Sequence, residues 1–505
     1  MTTTPTRFGG APTRPRSAAR RRRLQRYWPA LVIGALAFLG RLIPVLNGGG
    51  MFGRHTYDPF VYYGAAVALS TGHLPYRDFL LLHPPGILIA LLPFALLGGL
   101  IGDPLGMALA RLAWMSLGAI SAALIFVILR NRGWVAAGVG AALYAVWFPA
   151  FYVERDVRLE ALGTVLLLLG LYAMERLQSR AHPVRWAVAA GVLAGFSVLV
   201  KVWGVVPLAV LLVWLLATHG LRIAVAALAS ALGTVALVML PFALAGPKWL
   251  QLIVLDQVGR PRDGHSWQFR LQSVLGLGPV PAGAATACLV VGCLLAGVAI
   301  VLACRTSTGR LHAALAVVGG AFLLWVPTWY AHYPALVAAP LCLLFGEVTG
   351  AAVRAIGGRR LLRQGIVATI ALVLMAAQAV LFTQSVGWRF PGADLAEVLD
   401  HRQGCVTTDR TAALVLTGSL RRNIARGCPI VVDILGCKFA GQAADTSAAA
   451  TRERFERVLI DYLATGKSVI LVHERPADFA PDLRRRIDSW QIVGGSGRYL
   501  VRQPR

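Results

Sequence analysis

The segment "ILIALLPFALLGGLIG" (87–102) decides how this chain is threaded. It is apolar throughout, but it is shorter than the roughly 20 residues that cross a bilayer as a helix, and Pro93 and several glycines interrupt it. Longer apolar runs flank it, among them "ALVIGALAFLGRLIPVL" (30–46), "LEALGTVLLLLGLYAM" (159–174) and "GIVATIALVLMAAQAVLF" (365–382). With 505 residues, 57% hydrophobic and 14% charged, the chain falls well short of the about 25% charge of soluble domains. It reads as an α-helical polytopic membrane protein.

The arginines give the sidedness, since cytosolic loops are enriched in Lys and Arg. The arm "TRPRSAARRRRLQRYW" (13–28) is a basic tail that orients the protein and touches anionic lipid, so residues 1–28 are expected to be disordered and cytosolic. The run from Tyr27 to Leu46 has no small-residue cleavage site and is read as a retained span. "RNRG" (130–133), "ERLQSRAHPVR" (175–185), "THGLR" (218–222), "CRTSTGR" (304–310) and "VRAIGGRRLLRQ" (353–364) are the natural inside loops. Counting 87–102 as a full span would throw "RNRG" outside and invert the later basic loops. As a juxtamembrane or re-entrant helix it keeps them all inside.

That choice gives eleven spans, near 29–46, 105–130, 134–151, 160–176, 186–200, 203–218, 222–246, 284–304, 312–330, 334–351 and 366–385. An odd number of spans places residues 386–505 outside. Their composition is that of a small α/β domain, with "CPIVVDIL" (428–435) and "KSVILVHE" (467–474) as buried strands and "TRERFERVLIDYLATG" (451–466) as an amphipathic helix. Cys288, Cys293, Cys304 and Cys342 sit in or beside apolar spans as core filler. Of Cys405, Cys428 and Cys437, an outside position would permit a Cys405–Cys428 bridge. The net charge of +26 does not signal nucleic acid, because the arginines cluster in tails and between spans.

Sorted by side, the polar residues gather outside. The loop "HTYDPFVYYGAAVALSTGHLPYRDFLLLHPPG" (55–86) is far longer than the about four to six residues of a plain connection. It carries Tyr57, Asp58, Tyr62, Asp78 and His83. Asp58 before Pro59 also suits a helix N-cap. "YVERDVRLE" (152–160) supplies Glu154, Asp156 and Glu160; the spacing places Asp156 and Glu160 on one helix face, and likewise Glu154 and Arg158. Glu154 reads as helix-dipole complementation with one ion pair, whereas Glu160 lies deeper, where an ionisable group marks function. Lys201 either snorkels or binds phosphate, the latter supported by Arg260, Arg262 and His332 on the same face. Asp409, Asp433 and His473 in the C-terminal part show no connecting motif and read as structural. No Cys/His cluster has metal-site spacing.

These residues resemble the GT-C glycosyltransferases, most of all family 39 and its relatives, the protein O-mannosyltransferases and lipid A aminoarabinose transferases. The likeness rests on an acid just past the first span, "LPYRDFLLLHPPG" (74–86), a second acid after span three, a lysine opening an outer turn, and "YAHYPALVAAPLCLL" (330–344). It covers about residues 29–385, with the first outer loop at 47–104; the Arg- and Ala-rich, Lys-poor composition resembles an actinobacterial member.

The resemblance implies a plasma-membrane enzyme that moves a hexose or pentose from a polyprenyl-phosphate donor to an extracytoplasmic glycan, glycolipid or protein, with inversion. It implies Asp58 as base and Glu160 as the second-loop acid, with Asp156 a further catalytic candidate. Tyr57, Tyr62, Asp78, His83, Lys201, Arg260, Arg262, Tyr330 and His332 are the candidate substrate contacts. Many relatives carry two adjacent acids in the first loop, whereas Asp58 precedes Pro59; Asp78 or Asp156 are the alternatives, and a divalent cation stays open as the one cofactor. A flippase, or a polymerase or ligase of lipid-linked glycans, would share the compartment and the lipid-phosphate site.

Overall fold

The computed structural model describes residues 16–177, 182–278, 280–440, 448–474 and 479–504. The helices in chain order are α1 (Arg16–Asn47), α2 (Asp58–Ser70), α3 (Gly86–Ile101), α4 (Asp103–Leu129), α5 (Trp134–Val146), α6 (Phe148–Glu154), α7 (Leu159–Leu177), α8 (Pro183–Val200), α9 (Val205–His219) and α10 (Leu221–Ala245). After a π-helical turn (Gln251–Leu255) come α11 (Asp256–Val258), α12 (Trp267–Val274), α13 (Ala282–Ala303), α14 (Ser307–Trp325), α15 (Ala335–Ala355) and α16 (Arg360–Thr383).

Among the described residues nine helices are long and apolar enough to cross a membrane, and the α5–α6 pair, bent by 58°, makes up to ten. α7, 19 residues long, also passes from one face to the other, from Glu160, paired with Lys201, to Glu175, paired with Arg132; its charges lie at its two ends, and with it the helices match the eleven expected spans. α1 already includes the Arg20–Arg23 run expected in a tail; residues 1–15 lie outside the described residues.

α3 explains the sequence register. Its first residue, Gly86, packs so tightly on the backbone of Leu199 at the end of α8 that a Cβ would come within 2.6 Å of that carbonyl oxygen. Its last turns meet Arg421, which donates to the Ala95 carbonyl (2.8 Å) and pairs with Asp103 (2.9 Å). Both ends of α3 therefore lie at the face carrying the C-terminal residues, and the helix does not cross. At the opposite face Arg132 gathers Glu175 (3.0 Å) and Glu347, joining the far ends of α4, α7 and α15.

The break between α5 and α7 is held by buried ions. Pro149 has no N–H to give to the Ala145 carbonyl one turn back. That carbonyl is met by Arg41 from α1 instead. Arg41, fully buried, is neutralised by the equally buried Glu154 (Nη2–Oε2 2.7 Å), whose other oxygen accepts from the Tyr144 hydroxyl. The ion partner of Glu154 is thus Arg41 and not Arg158. One step on, Asp156 is clamped by Arg111 (3.1 Å) and stands 3.3 Å from His55 Nδ1. Helix geometry resumes only at Leu159, so Asp156 and Glu160 do not share a helix face as their spacing suggested.

The C-terminal region adds α17 (Gly392–Asp400), β1 (Val406–Thr408), α18 (Thr411–Leu416), α19 (Ser419–Ala425), α20 (Ala448–Ala464), β2 (Ser468–Val472), α21 (Pro481–Asp488), β3 (Gln491–Ser496) and β4 (Tyr499–Gln503). The sheet order is β1-β2-β4-β3, with β1 parallel to β2 and the other pairs antiparallel. Cys405 and Cys428 are bridged. "KSVILVHE" supplies β2 and "TRERFERVLIDYLATG" lies largely in α20. "CPIVVDIL" is not a strand: Cys428, Val432 and Ile434 are buried, but the Val432 carbonyl bonds the Thr411 hydroxyl rather than a ladder. The region has an apolar core of its own, with Phe455, Leu459, Leu463, Leu471 and Trp490, and shares a second with the membrane helices. One apolar cluster runs from Phe60 and Val67 of α2 through Leu88 of α3 into Leu414, Leu420 and Val501. Gly64 of α2 permits this approach, since a Cβ there would lie 3.1 Å from Thr411 Cγ2.

Removing one member of a buried ion pair costs about 3–5 kcal/mol, whereas replacing both by apolar residues is near neutral. Arg41→Met alone is therefore expected to lower the thermal unfolding midpoint of the detergent-solubilised protein sharply. Arg41→Met with Glu154→Met should recover most of the loss, and equal melting of the single and double variants would refute the pairing as the cause.

Candidate active site

A cavity of about 900 Å³ opens at the face that carries the C-terminal region. Its walls come from the 55–86 loop, the link before α7, the α8–α9 turn, residues 253–262, the α14–α15 link and residues 433–439. Asp58 is the first residue of α2, yet its carboxylate caps nothing; it accepts from Arg158 Nη1 at 3.0 Å. The N-cap explanation for Asp58 is therefore set aside. Its side chain keeps 35% exposure while that of Arg158 is 5% exposed, so the acid presents an open edge to the cavity.

Arg158 is aimed there by the buried link behind it. Trp114 Nε1 donates to the Arg158 carbonyl (2.8 Å), and Asp156 is locked to Arg111 on the far side. Arg158 also donates to His332 Nδ1 at 2.9 Å. A guanidinium only donates, so Nδ1 is the unprotonated nitrogen and Nε2 carries the hydrogen. Nε2 points toward Glu160 Oε1 at 3.7 Å, and the same oxygen accepts from Lys201 Nζ at 2.7 Å. Burial first, then Arg158 and Lys201, hold the His332 pKa well below its usual value, which agrees with that neutral tautomer. Lys201 does not snorkel; its ammonium lies 3.8 Å over the Trp203 ring and 4.5 Å from that of Tyr333.

His83 lines the cavity edge-on to Tyr62 (5.6 Å), and burial, then Lys201 and Arg260, push its pKa down to about 3. It is a neutral hydrogen-bonding group. Arg260 lies 4.2 Å over the Phe439 ring, and Arg262 5.4 Å over Trp325. Tyr330 stacks on His332, with planes 15° apart.

Of the sequence candidates, Tyr57, Asp58, Tyr62, His83, Lys201, Arg260, Arg262, Tyr330 and His332 line this cavity, and Glu160 reaches it through Lys201 and His332. Asp78 is not brought there: it pairs with neighbouring Arg77 and accepts from the Leu74 N–H. Asp156 is turned away into the Arg111–His55 cluster. Among the described residues no group of three or more His, Cys, Asp or Glu could hold a metal ion, and Asp78 and Asp156, the alternatives to a second first-loop acid, both lie away from Asp58.

Two lining residues escaped sequence reasoning. Arg158 looked like a helix-face partner of Glu154. Asp433 read as structural, but it lines the cavity and Tyr57 donates to it at 3.1 Å across 376 residues. No local signal could have announced that contact.

Charge accounting leaves a cationic excess. Asp58 is matched by Arg158 and Glu160 by Lys201; against Asp433, the remaining acid of the lining, stand Arg260 and Arg262. Below these groups the lining is apolar, with Val205, Ile253, Val254, Val258, Phe322 and Trp325. Val205, Val258 and Trp325 are exposed at 50%, 74% and 69%, so the cavity opens sideways between α9, α11 and α14. In a membrane protein that lateral mouth faces lipid.

Residues 81–327 match the family model of Glycosyltransferase family 87. Comparison with curated proteins gives no match. Among solved structures, ArnT from Cupriavidus metallidurans bound to undecaprenyl phosphate is similar at 16% identity and TM-score 0.59, over 96% of this chain and 98% of that one. AglB from Archaeoglobus fulgidus, in complex with an inhibitory peptide and a dolichol-phosphate, is similar at 13% identity and TM-score 0.58, over 89% of this chain and 70% of that one. At these identities the likeness carries the fold. The superfamily suggested by the loop motifs holds; the matching family model is 87, whereas the motifs resembled family 39.

Burial, then the nearby Asp58, raises Asp433 from an ordinary 3.8 to about 6, against the Gly436 N–H and Arg260, which act the other way. A raised acid pKa means that the folded chain holds the proton more tightly. The stability this contributes is present at low pH and is lost as pH rises from 3.8 through about 6. Infrared difference spectra between pH 4.5 and 7.5 should show a carboxylic-acid band disappearing near that midpoint, absent in Asp433→Asn. A band lost only below pH 4.5 would contradict the buried setting.

Proposed function

Since the chain is a polytopic membrane protein of the GT-C glycosyltransferase superfamily, we propose that it transfers a single sugar from a polyprenyl-phosphate donor to a hydroxyl acceptor, with inversion. The observation that carries this reading is the division of the cavity. One end offers an open-edged carboxylate, Asp58; the other offers cations above a lateral apolar slot. A lipid-linked phosphate has that same division, with an isoprenoid tail for the slot and an anionic head for Lys201 and Arg260. The two similar structures hold undecaprenyl phosphate and dolichol-phosphate, which supports the same donor class here.

The chemistry balances without an added reagent. Asp58 takes the proton of the acceptor hydroxyl, whose oxygen attacks the anomeric carbon as the bond to the phosphate oxygen breaks. The lipid phosphate leaves as an anion and needs positive charge rather than a proton, which Lys201 and Arg260 can provide. Arg158 holds Asp58 in place. A single displacement inverts the anomeric centre.

The sidedness belongs to the same proposal: a plasma-membrane protein with its N-terminus cytoplasmic and cavity extracytoplasmic. Support comes from the arginine-rich ends gathered opposite the cavity and from the Cys405–Cys428 bridge on the cavity side, since disulfides persist in oxidising compartments.

Purified protein in lipid nanodiscs, given radiolabelled polyprenyl-phosphate sugars and an envelope extract, should transfer label. Asp58→Asn should cut the rate by roughly 10²–10⁴-fold, the usual worth of a general base, while leaving undecaprenyl phosphate binding intact. Lys201→Gln should instead weaken that binding by about ten-fold, equivalent to about 1.4 kcal/mol. Undiminished transfer by Asp58→Asn would remove the base assignment; binding of lipid-linked sugar without transfer from any donor would point to a flippase.

A further inference from the structure

Asp433 is the one cavity carboxyl that this reaction leaves unused. Its Oδ1 accepts from the Gly436 N–H (2.8 Å), which caps the 3₁₀ turn Leu435–Lys438, and from the Tyr57 hydroxyl (3.1 Å). A structural role accounts for those two bonds and for no more. Oδ2 makes no hydrogen bond among the described residues, although Asp433 lines the cavity beside Asp58 and the Tyr57 hydroxyl. Placing a second acid within electrostatic reach of the base is costly, and a turn cap needs no such position; an asparagine would serve the cap equally well.

The surroundings indicate what the free oxygen meets. The Tyr330 ring, 36% exposed and stacked on His332, presents an aromatic face to the cavity. The Phe439 ring, covered by Arg260, forms part of the wall near Asp433. An acceptor-only carboxylate and aromatic faces suit a pyranose or furanose ring: adjacent hydroxyls donate to the acid, and the apolar C–H face lies on a ring.

Resting on the transferase reading above, we propose that Asp433 binds the acceptor, and that the acceptor is a neutral sugar whose vicinal diol the C-terminal region selects. Asp58 then meets the hydroxyl that reacts, and Asp433 meets the neighbouring pair that fixes which hydroxyl this is. The acceptor class is accordingly a glycan or glycolipid end rather than a serine or threonine side chain.

The test measures equilibrium binding to the full chain in nanodiscs, which needs no turnover. The probes are octyl glycosides of mannose, glucose and galactose, each beside the deoxy analogue lacking one hydroxyl of the diol, with undecaprenyl phosphate as a separate probe. Wild type is expected to bind at least one diol about ten-fold more tightly than its deoxy partner. Asp433→Asn should erase that difference while changing undecaprenyl phosphate affinity less than about two-fold. If Asp433→Asn no longer binds the lipid phosphate, Asp433→Ser, which retains a turn-capping oxygen, is read in its place. Discrimination that survives the substitution, no discrimination by wild type on any probe, or preferential binding of a serine- or threonine-bearing peptide would each overturn the inference. Failure of undecaprenyl phosphate to bind wild type would instead strike the donor assignment.

Discussion

The buried pair of Arg41 and Glu154 is the constraint from which the active-site geometry follows. A membrane helix cannot stop in mid-protein without leaving backbone groups unsatisfied, and Pro149 guarantees such a group at the Ala145 carbonyl. Arg41 satisfies it and brings a charge with it, so Glu154 must follow at the end of α6. The chain then turns, Asp156 is tied to Arg111, and α7 begins with Glu160 in its first turn. Arg158 faces the cavity, and Glu160 meets the cavity residues Lys201 and His332, because the residues between and before them are fastened behind it. An unbroken helix through 148–160 could not present both in this way.

The same economy appears in the cavity itself. Two acids are met by cations from other parts of the chain: Asp58 by Arg158 and Glu160 by Lys201. His332 lies between the two pairs, its ring nitrogens facing Arg158 on one side and Glu160 on the other. Arg260 and Arg262, in no ion pair among the described residues, sit beside the lateral mouth, where a membrane-borne anion would enter.

Much of this was legible in the sequence because it is local. Apolar runs, the shortness of 87–102, and the gathering of Asp58, His83, Lys201 and His332 on one face follow from composition, length and arginine placement. What failed was whatever depends on contacts distant in sequence. Arg41 and Glu154 are 113 residues apart, and no period or spacing joins them. The apolar run at 428–435 was taken for a strand because burial alone looks the same in a strand and in a pinned coil; the Thr411–Val432 bond that decides between them is tertiary. The proposed helix face shared by Asp156 and Glu160 failed for a related reason, since the helix was assumed continuous where Pro149 and the buried ions interrupt it.

The boundary drawn at residue 386 marks a change of composition, and the residues beyond it, which keep a core of their own around Phe455 and Leu459, are also joined to the helices before it. Arg421 reaches from α19 to Asp103 and Ala95, Tyr57 reaches from the first loop to Asp433, and apolar side chains are continuous between α2, α3 and the sheet. A domain joined by a shared core and two buried polar contacts cannot swing freely without exposing both. Its residues 433–439 therefore belong to the cavity wall as firmly as those of the transmembrane helices do. The lateral mouth between α9, α11 and α14 leads to lipid, while the C-terminal residues bound the side toward solvent. On the proposed function, a lipid-borne donor and the sugar end of the acceptor then approach Asp58 from different directions without competing for one passage.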